Sequence, residues 1–261
     1  METINKSFLI KAKRIIIKVG SNLIINSKSG TTNKPLLKNI VREIKTLLDK
    51  NKEVMLVSSG AVSLGKKALK IEKNALQLDK KQAAASVGQI ILINAWKEAF
   101  DKVNVISSQI LLSHYDAENR KNALNARDTL EELMFLKTIP IINENDTVAT
   151  LELRYGDNDQ LAARVAQISS ANILILLTDV NGLYTKNPRK NTSAELIRKV
   201  NKITPKIERI AENSNSNFSV GGMKTKLKAA KIAMGSGCHV IIANGKNKYP
   251  ISNLFKNDLS T

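Results

Sequence analysis

The chain is poor in the residues that most often announce a chemistry. Its 261 residues include one cysteine, two histidines and five prolines. With Cys238 alone no internal disulfide can form, and a reducing compartment is the simpler setting. Cys238 follows an Ala/Gly-rich segment and opens an apolar run, as a buried packing thiol would. In the sequence His114 and His239 have no evident triad pattern around them, and the GxSxG nucleophile elbow is absent, which argues against a serine hydrolase. The Walker A pattern GxxxxGK[ST] is also missing. Aromatics are 4% of the chain against 43% hydrophobic residues, so the core must be built from Ile, Leu, Val and Ala. No segment reaches the roughly 18 apolar residues that cross a bilayer. The start, METINKSFLIKAK, carries Glu2 and only a short apolar run, unlike a signal peptide. No membrane association and a cytoplasmic location are expected, and no internal repeat is visible.

Acidic charge is scarce too, leaving a net charge of +18. The lysines are spread along the whole length without interleaved aromatics, so nucleic acid is not the expected partner. A diffuse positive field would instead assist anionic substrates.

What is present alternates. Arg14 to Val19 is a short apolar run ending at Gly20 and reads as a buried parallel strand. A turn-rich stretch leads to Pro35 near a helix start, and Leu37, Ile40, Val41, Ile44, Leu47 and Leu48 recur at helical spacing. Val54 to Val57 is a second strand, ending in the small-residue loop SSGAVSLG and another helix. Gln82 to Phe100 is apolar nearly all round, as a helix that is central or covered by another subunit would be, and a subunit interface is the expectation. Val103 to Leu112 and Ile139 to Ile142 read as strands around an amphipathic helix over Asn119 to Lys137. Ile173 to Leu177 is the most apolar strand, Leu196 to Val200 a short one, and Cys238 to Ala243 the last. Glu212 to Ser219 reads as a mobile loop. This order predicts an α/β fold, a three-layer αβα sandwich with a central, mainly parallel sheet, as a single domain over 1–261.

Function in such folds gathers beyond the carboxyl ends of the strands. Lys18 ends a strand before Gly20, and a lysine there is costly unless it meets an anion. Ser59 and Gly60 end the second strand and enter a helix, where N–H groups and hydroxyls suit a carboxylate or phosphoryl group. Gly221, Gly222, Met223, Lys224, Thr225 and Lys226 put glycines before lysines at a helix start. Lys224 and Lys228 share one helical face and Lys226 points elsewhere, so at most one or two enter a site. GDNDQLAARVA, from Gly156 to Ala166, sets Asp157, Asn158 and Asp159 at another helix start. One such residue is an ordinary cap; three in a row are more than capping needs. Separated lysines, glycine N–H groups and carboxylates that orient the lysines or carry Mg²⁺ together suggest phosphoryl transfer.

IIIKVGSN, VSSGAV, LNARDTL, INENDTVAT, GDNDQLAARVA, LLTDVNGLYT and GGMKTKLKAA, in this order from about Arg14 to Ala243, resemble the glutamate 5-kinases of the amino acid kinase superfamily. The resemblance implies that ATP and L-glutamate give ADP and L-glutamyl 5-phosphate, the first step of proline biosynthesis, with Mg²⁺. It implies that Lys18 binds phosphates, that Lys226 stabilises the transferring group, and that Asp159 holds the two lysines. Ser59, Asp146 and Asn158 would bind glutamate, with Gly60, Asn143 and Asp157 close by. Gly20, Thr178, Asp179 and the segment Val220 to Lys226 would contact nucleotide. The part to about residue 165 would bind mostly glutamate and the part from about 166 mostly ATP. Val220 and Lys224 depart from the threonine and small residue that many members carry. The C-terminal PUA domain of many members is not expected. A homo-oligomer, dimer or tetramer, and feedback binding of proline through the segment between Ser113 and Arg127 are further implications. Other amino acid kinases acting on a different carboxylate or phosphate, or a non-catalytic amino-acid sensor, are the alternatives. Replacing Asp159 or Lys226 is expected to remove most of kcat with little loss of fold.

Overall fold

The computed structural model describes residues 7–71, 77–148, 158–213, 222–256 and 260–261. Six strands run β1 Arg14–Val19, β2 Glu53–Ser58, β3 Ser107–Leu112, β4 Ile139–Glu144, β5 Ile173–Thr178 and β6 His239–Asn244. They form one sheet in the order β3-β4-β2-β1-β5-β6, and every pairing is parallel. The helices are α1 Ser7–Lys11, α2 Ser21–Ile24, α3 Lys34–Leu48, α4 Ala61–Ala68, α5 Leu78–Asp101 and α6 His114–Glu118. They continue with α7 Arg120–Phe135, α8 Asn158–Ile168, α9 Pro205–Asn213, α10 Met223–Gly235 and α11 Ser252–Lys256.

The strand period of two sorts the core into layers. Ile15, Ile17 and Val19 of β1 pack with Ile40, Ile44 and Trp96 on one face. Ile16 packs with Leu161, Ala162, Ala229 and Ala233 on the other, beneath α8 and α10. Lys18 follows Ile16 by two residues, so its side chain shares the α8 and α10 face. A lysine in a buried strand therefore reaches the starts of these two helices. The sheet-and-helix arrangement is that of the expected α/β sandwich, and the sheet is wholly parallel. Asn33 caps α3 by accepting from the Leu36 N–H, with Pro35 in the first turn.

Two strand expectations need correction. The third strand begins at Ser107 and not at Val103, because α5 runs to Asp101 and closes through a turn. Asn104 takes a left-handed φ of 54°, and the Val103 and Val105 N–H groups both donate to Phe100 O. Leu196 to Val200 is not a strand. It forms one antiparallel bridge, Tyr184 to Leu196, and no strand of the sheet lies beside it. The expected amphipathic helix is α7, but only Leu130 is fully buried; Ala123, Ala126, Leu133 and Met134 stay half-buried. Cys238 is buried, and desolvation pushes its thiol up to about 12, as befits a packing group. Of the expected mobile loop, Glu212 and Asn213 are the last residues of α9, and the rest lies outside the described residues. No helix among the described residues is long and apolar enough to cross a membrane.

Candidate active site

The site lies beyond the carboxyl ends of β1, β2 and β4, where α8 and α10 begin. Asp159, in the first turn of α8, is 1% exposed. Its Oδ1 lies 2.6 Å from Lys18 Nζ and its Oδ2 3.0 Å from Lys226 Nζ. Lys18 and Lys226 are themselves buried. Burial alone would raise the Asp159 carboxyl, but the charges and hydrogen bonds of the two lysines outweigh it and hold the group at about 2. Thr225 Oγ1 lies 3.0 Å from Asp159 Oδ2 and 2.8 Å from Gly222 O, tying the start of α10 to the same carboxylate. Both Asp159 oxygens are thus engaged, and two ammonium groups from distant segments are held at one point.

Next to this triad is an amide cluster. Asn158 Nδ2 is 2.9 Å from Ser58 O, 3.0 Å from Ser59 Oγ and 2.7 Å from Asn143 Oδ1. The Ser59 N–H donates to Val19 O, joining the loops that follow β1 and β2. Gly60 enters α4 at φ 114°, a left-handed conformation that a side chain would strain. Half-buried Asp146 lies in the loop after β4, and desolvation raises its carboxyl to about 6. A carboxylate poised there gains from an incoming cation.

The remaining candidates divide. Gly20 precedes α2 beside the lysine, and a Cβ there would make only ordinary contacts, 3.6 Å to Leu177 O and 3.8 Å to Lys18 Nζ. Thr178 ends β5, and Asp179 forms an ion pair with Arg189. Desolvation raises Asp179, but Arg189 overcomes it and lowers the carboxyl below its usual range. Asp179, Arg189, Lys246, Asn22 and Lys28 line an open cavity of about 1090 Å³. Met223 packs beneath α10, whereas Lys224 turns away to a half-exposed ion pair with Glu212 at 2.7 Å. Asp157, Val220 and Gly221 lie outside the described residues.

Sequence reasoning found the helix α5 but missed what it contributes to the site. Gln89 Oε1 accepts from Asn143 Nδ2 at 2.7 Å, and Trp96 Nε1 donates to Ser58 Oγ at 2.8 Å. Gln89 is one of several polar residues in that run, half-buried like Gln82, and nothing in the sequence marks it as the one that reaches Asn143.

Residues 13–244 match the amino acid kinase family. The chain belongs to that family. It is 48% identical over 254 residues to a glutamate 5-kinase of Pelagibacter ubique, covering 97% of this chain and 69% of the relative. It is 48% identical over 243 residues to the glutamate 5-kinase of Sinorhizobium fredii, covering 93% and 62%. Against others, such as that of Rhodopseudomonas palustris strain BisB5, the chain spans 64% of the relative's length. Among solved structures, the UMP kinase of Ureaplasma parvum superposes with a TM-score of 0.63 at 16% identity, covering 94% of this chain and 95% of that one. An isopentenyl phosphate kinase in complex with substrate superposes at 0.64 and 14% identity, covering 94% and 96%. These two likenesses speak to the fold.

Proposed function

We propose that the chain transfers the terminal phosphoryl group of ATP to the γ-carboxylate of L-glutamate, releasing ADP and L-glutamyl 5-phosphate, as the first step of proline biosynthesis. A carboxylate oxygen forms the new P–O bond while the bond to the ADP oxygen breaks, and that oxygen leaves carrying the electron pair. The observation that carries this reading is Asp159 bridging Lys18 and Lys226 beside the Asn158–Ser59–Asn143 cluster. The likeness to glutamate 5-kinases supplies the substrate.

In this mechanism Lys18 and Lys226 neutralise charge on the transferring group and the leaving oxygen. Asp159 fixes both ammonium groups, so that little reorganisation is needed as charge shifts. Asn158, Ser59, Asn143 and Asp146 hold glutamate, the last by charge against its ammonium group, with Asp157 and Gly60 beside them. Gly20, Thr178, Asp179 and the segment from Val220 through Gly221, Gly222, Met223, Lys224 and Thr225 to Lys226 serve the nucleotide. Mg²⁺ accompanies ATP. Among the described residues no group of three or more acidic, histidine or cysteine side chains could hold a metal ion. With both Asp159 oxygens on lysines, the phosphates of the nucleotide are the fitting ligands.

Hydroxylamine trapping of the acyl phosphate tests the reading. Glutamate should give the hydroxamate in an ATP-dependent manner; equal or better turnover with N-acetylglutamate, aspartate or UMP would overturn the substrate. Proline, also a small amino acid with ammonium and carboxylate, would compete in the same pocket, and kinetics indifferent to millimolar proline would remove that part. Chains associate as dimers or tetramers in this reading. Ile106, Leu111, Phe135 and Leu136, exposed near the β3 edge, supply apolar surface for it. A monomer by sedimentation would refute association. A cytoplasmic location, where ATP is abundant, is part of this reading.

A further inference from the structure

We infer that Gln89 is a positioning residue for the amino group of the acceptor, acting through Asn143 and Asn158; the inference rests on the proposal that this site binds glutamate. It begins with a buried atom. Asn158 Oδ1 is out of contact with solvent and has no hydrogen-bond partner, although the residue is only 5% exposed. A buried acceptor left unpaired is costly, and native sites hold few of them. Its amide cannot be turned round to relieve this. Asn158 Nδ2 faces the carbonyl of Ser58, which can only accept, and also Asn143 Oδ1 and Ser59 Oγ. The nitrogen side is committed, so the oxygen must take its partner from a bound molecule. Beside Ser59 and Asn143, the donor that fits is the ammonium group of the amino acid.

That polarity survives only if Asn143 keeps its own oxygen toward Asn158. Gln89 enforces this by accepting from Asn143 Nδ2 at 2.7 Å. Without an acceptor there, the Asn143 amide can reverse and present Nδ2 to Asn158 Nδ2. Two donors would then face each other, and the Asn158 amide would be pushed off its hydrogen bonds to Ser58 O and Ser59 Oγ, displacing the oxygen that faces the ligand. The backbone that carries Gln89 has little freedom. Its neighbour Gly88 sits so close to α4 that an added Cβ would lie 1.8 Å from Ala61 O, and Gly65 meets Ala84 O in the same way at 1.7 Å. The two helices are locked by backbone contact, and Trp96, seven residues further on the same face, fixes Ser58 through its Oγ. One rigid helix thus sets both ends of the amide chain. The side chain of Gln89 touches Asn143 and not the site of transfer, so its effect is on binding and discrimination.

The test compares wild type, Q89M and Q89E with glutamate and with glutarate, which lacks the ammonium group. Wild type should prefer glutamate over glutarate by at least about tenfold in kcat/KM, the effect of leaving a buried acceptor unpaired. Q89M, equal in length but without the acceptor, should raise KM for glutamate by about tenfold. Its kcat, KM for ATP and Tm should stay near wild type, and its preference over glutarate should shrink. Q89E keeps an acceptor toward Asn143 Nδ2 and should keep the preference. Should Q89M fail to fold, Q89L repeats the measurement. An unchanged KM and preference in the apolar variant overturns the inference, and so does a fall in Tm and kcat with the preference intact, which marks a structural role. Absence of glutamate phosphorylation by wild type would fail the functional reading, and this inference with it. Failure confined to the variants leaves that reading standing.

Discussion

Lys18 Nζ stands 2.6 Å from Asp159 Oδ1, joining the central strand to the first turn of α8. Asp159→Asn would leave two buried ammonium groups without their shared counter-charge. Loss of one partner of a buried pair typically costs about 3 kcal/mol or more, so the small effect on folding expected from sequence is corrected by the burial of all three groups. We expect kcat to fall at least about 100-fold while nucleotide affinity holds, since added positive charge does not repel ATP. Denaturant melts with nucleotide titrations check both; a variant as stable and as active as wild type refutes the role.

The same carboxyl makes a pH prediction. Its folded-state value of about 2 lies below the ordinary 3.8. Its contribution to stability is therefore complete above about pH 3.8 and is lost as the pH falls toward 2. Stability measured between those values should fall less steeply in Asp159→Asn than in wild type.

Lys226→Met should remove most of kcat. Lys231, on the same helix, forms an exposed ion pair with Glu208 at 3.3 Å, and Lys231→Ala should change stability by no more than about 0.5 kcal/mol and turnover hardly at all. Parallel steady-state assays separate the two; equal effects would mean that charge along α10, and not the buried position, matters.

Asp146 has its carboxyl raised to about 6 by desolvation. If it pairs with the substrate ammonium, only the ionised form binds, so kcat/KM for glutamate should decline as the pH drops below about 6. In Asp146→Asn the constant should be lower and this limb should vanish. A wild-type profile flat from pH 7 to 5 contradicts the assignment.

Gly88→Ala forces a methyl group against Ala61 O, with no room in the α4–α5 crossing. The helices must part, at a cost of about 1–3 kcal/mol. Because α4 carries the Ser59 loop, KM for glutamate should rise with the loss of stability. Thermal melts and kinetics on the one variant check this, and a neutral substitution would show that the crossing is loose.

Much of this was legible from residue patterns. Strands β1, β2 and β5 were visible because their residues are apolar on both faces, as buried parallel strands must be. Lys18 stood out as a charge at a strand end, and the cluster Asp157 to Asp159 and the lysines after Gly222 as charges at helix starts; the family resemblance, and not the pattern, picked Asp159 and Lys226 out of them. Their convergence on one carboxylate follows from alternation on β1, which assigns Lys18 to the face of Ile16, and from packing of α8 beside α10. The contribution of Gln89 was not legible, since a glutamine within an apolar helix carries no periodic signal and its meaning comes from β4 arriving opposite. The shortened β3 was hidden for a related reason: Val103 to Ile106 is as apolar as a strand, but the left-handed turn at Asn104 is decided by how α5 ends.

The central place of β1 has a consequence for biosynthesis. Its residues emerge early and pair on one side with β2, Ile15 opposite Val54. The other side must wait for β5, where Ile15 meets Ile173. Throughout synthesis of the intervening stretch, a strand of isoleucines keeps one open edge, the kind of surface on which nascent chains aggregate or recruit chaperones. The lysine at its end likewise waits for Asp159, so the proposed catalytic centre is assembled late, when the second half of the chain closes over the first.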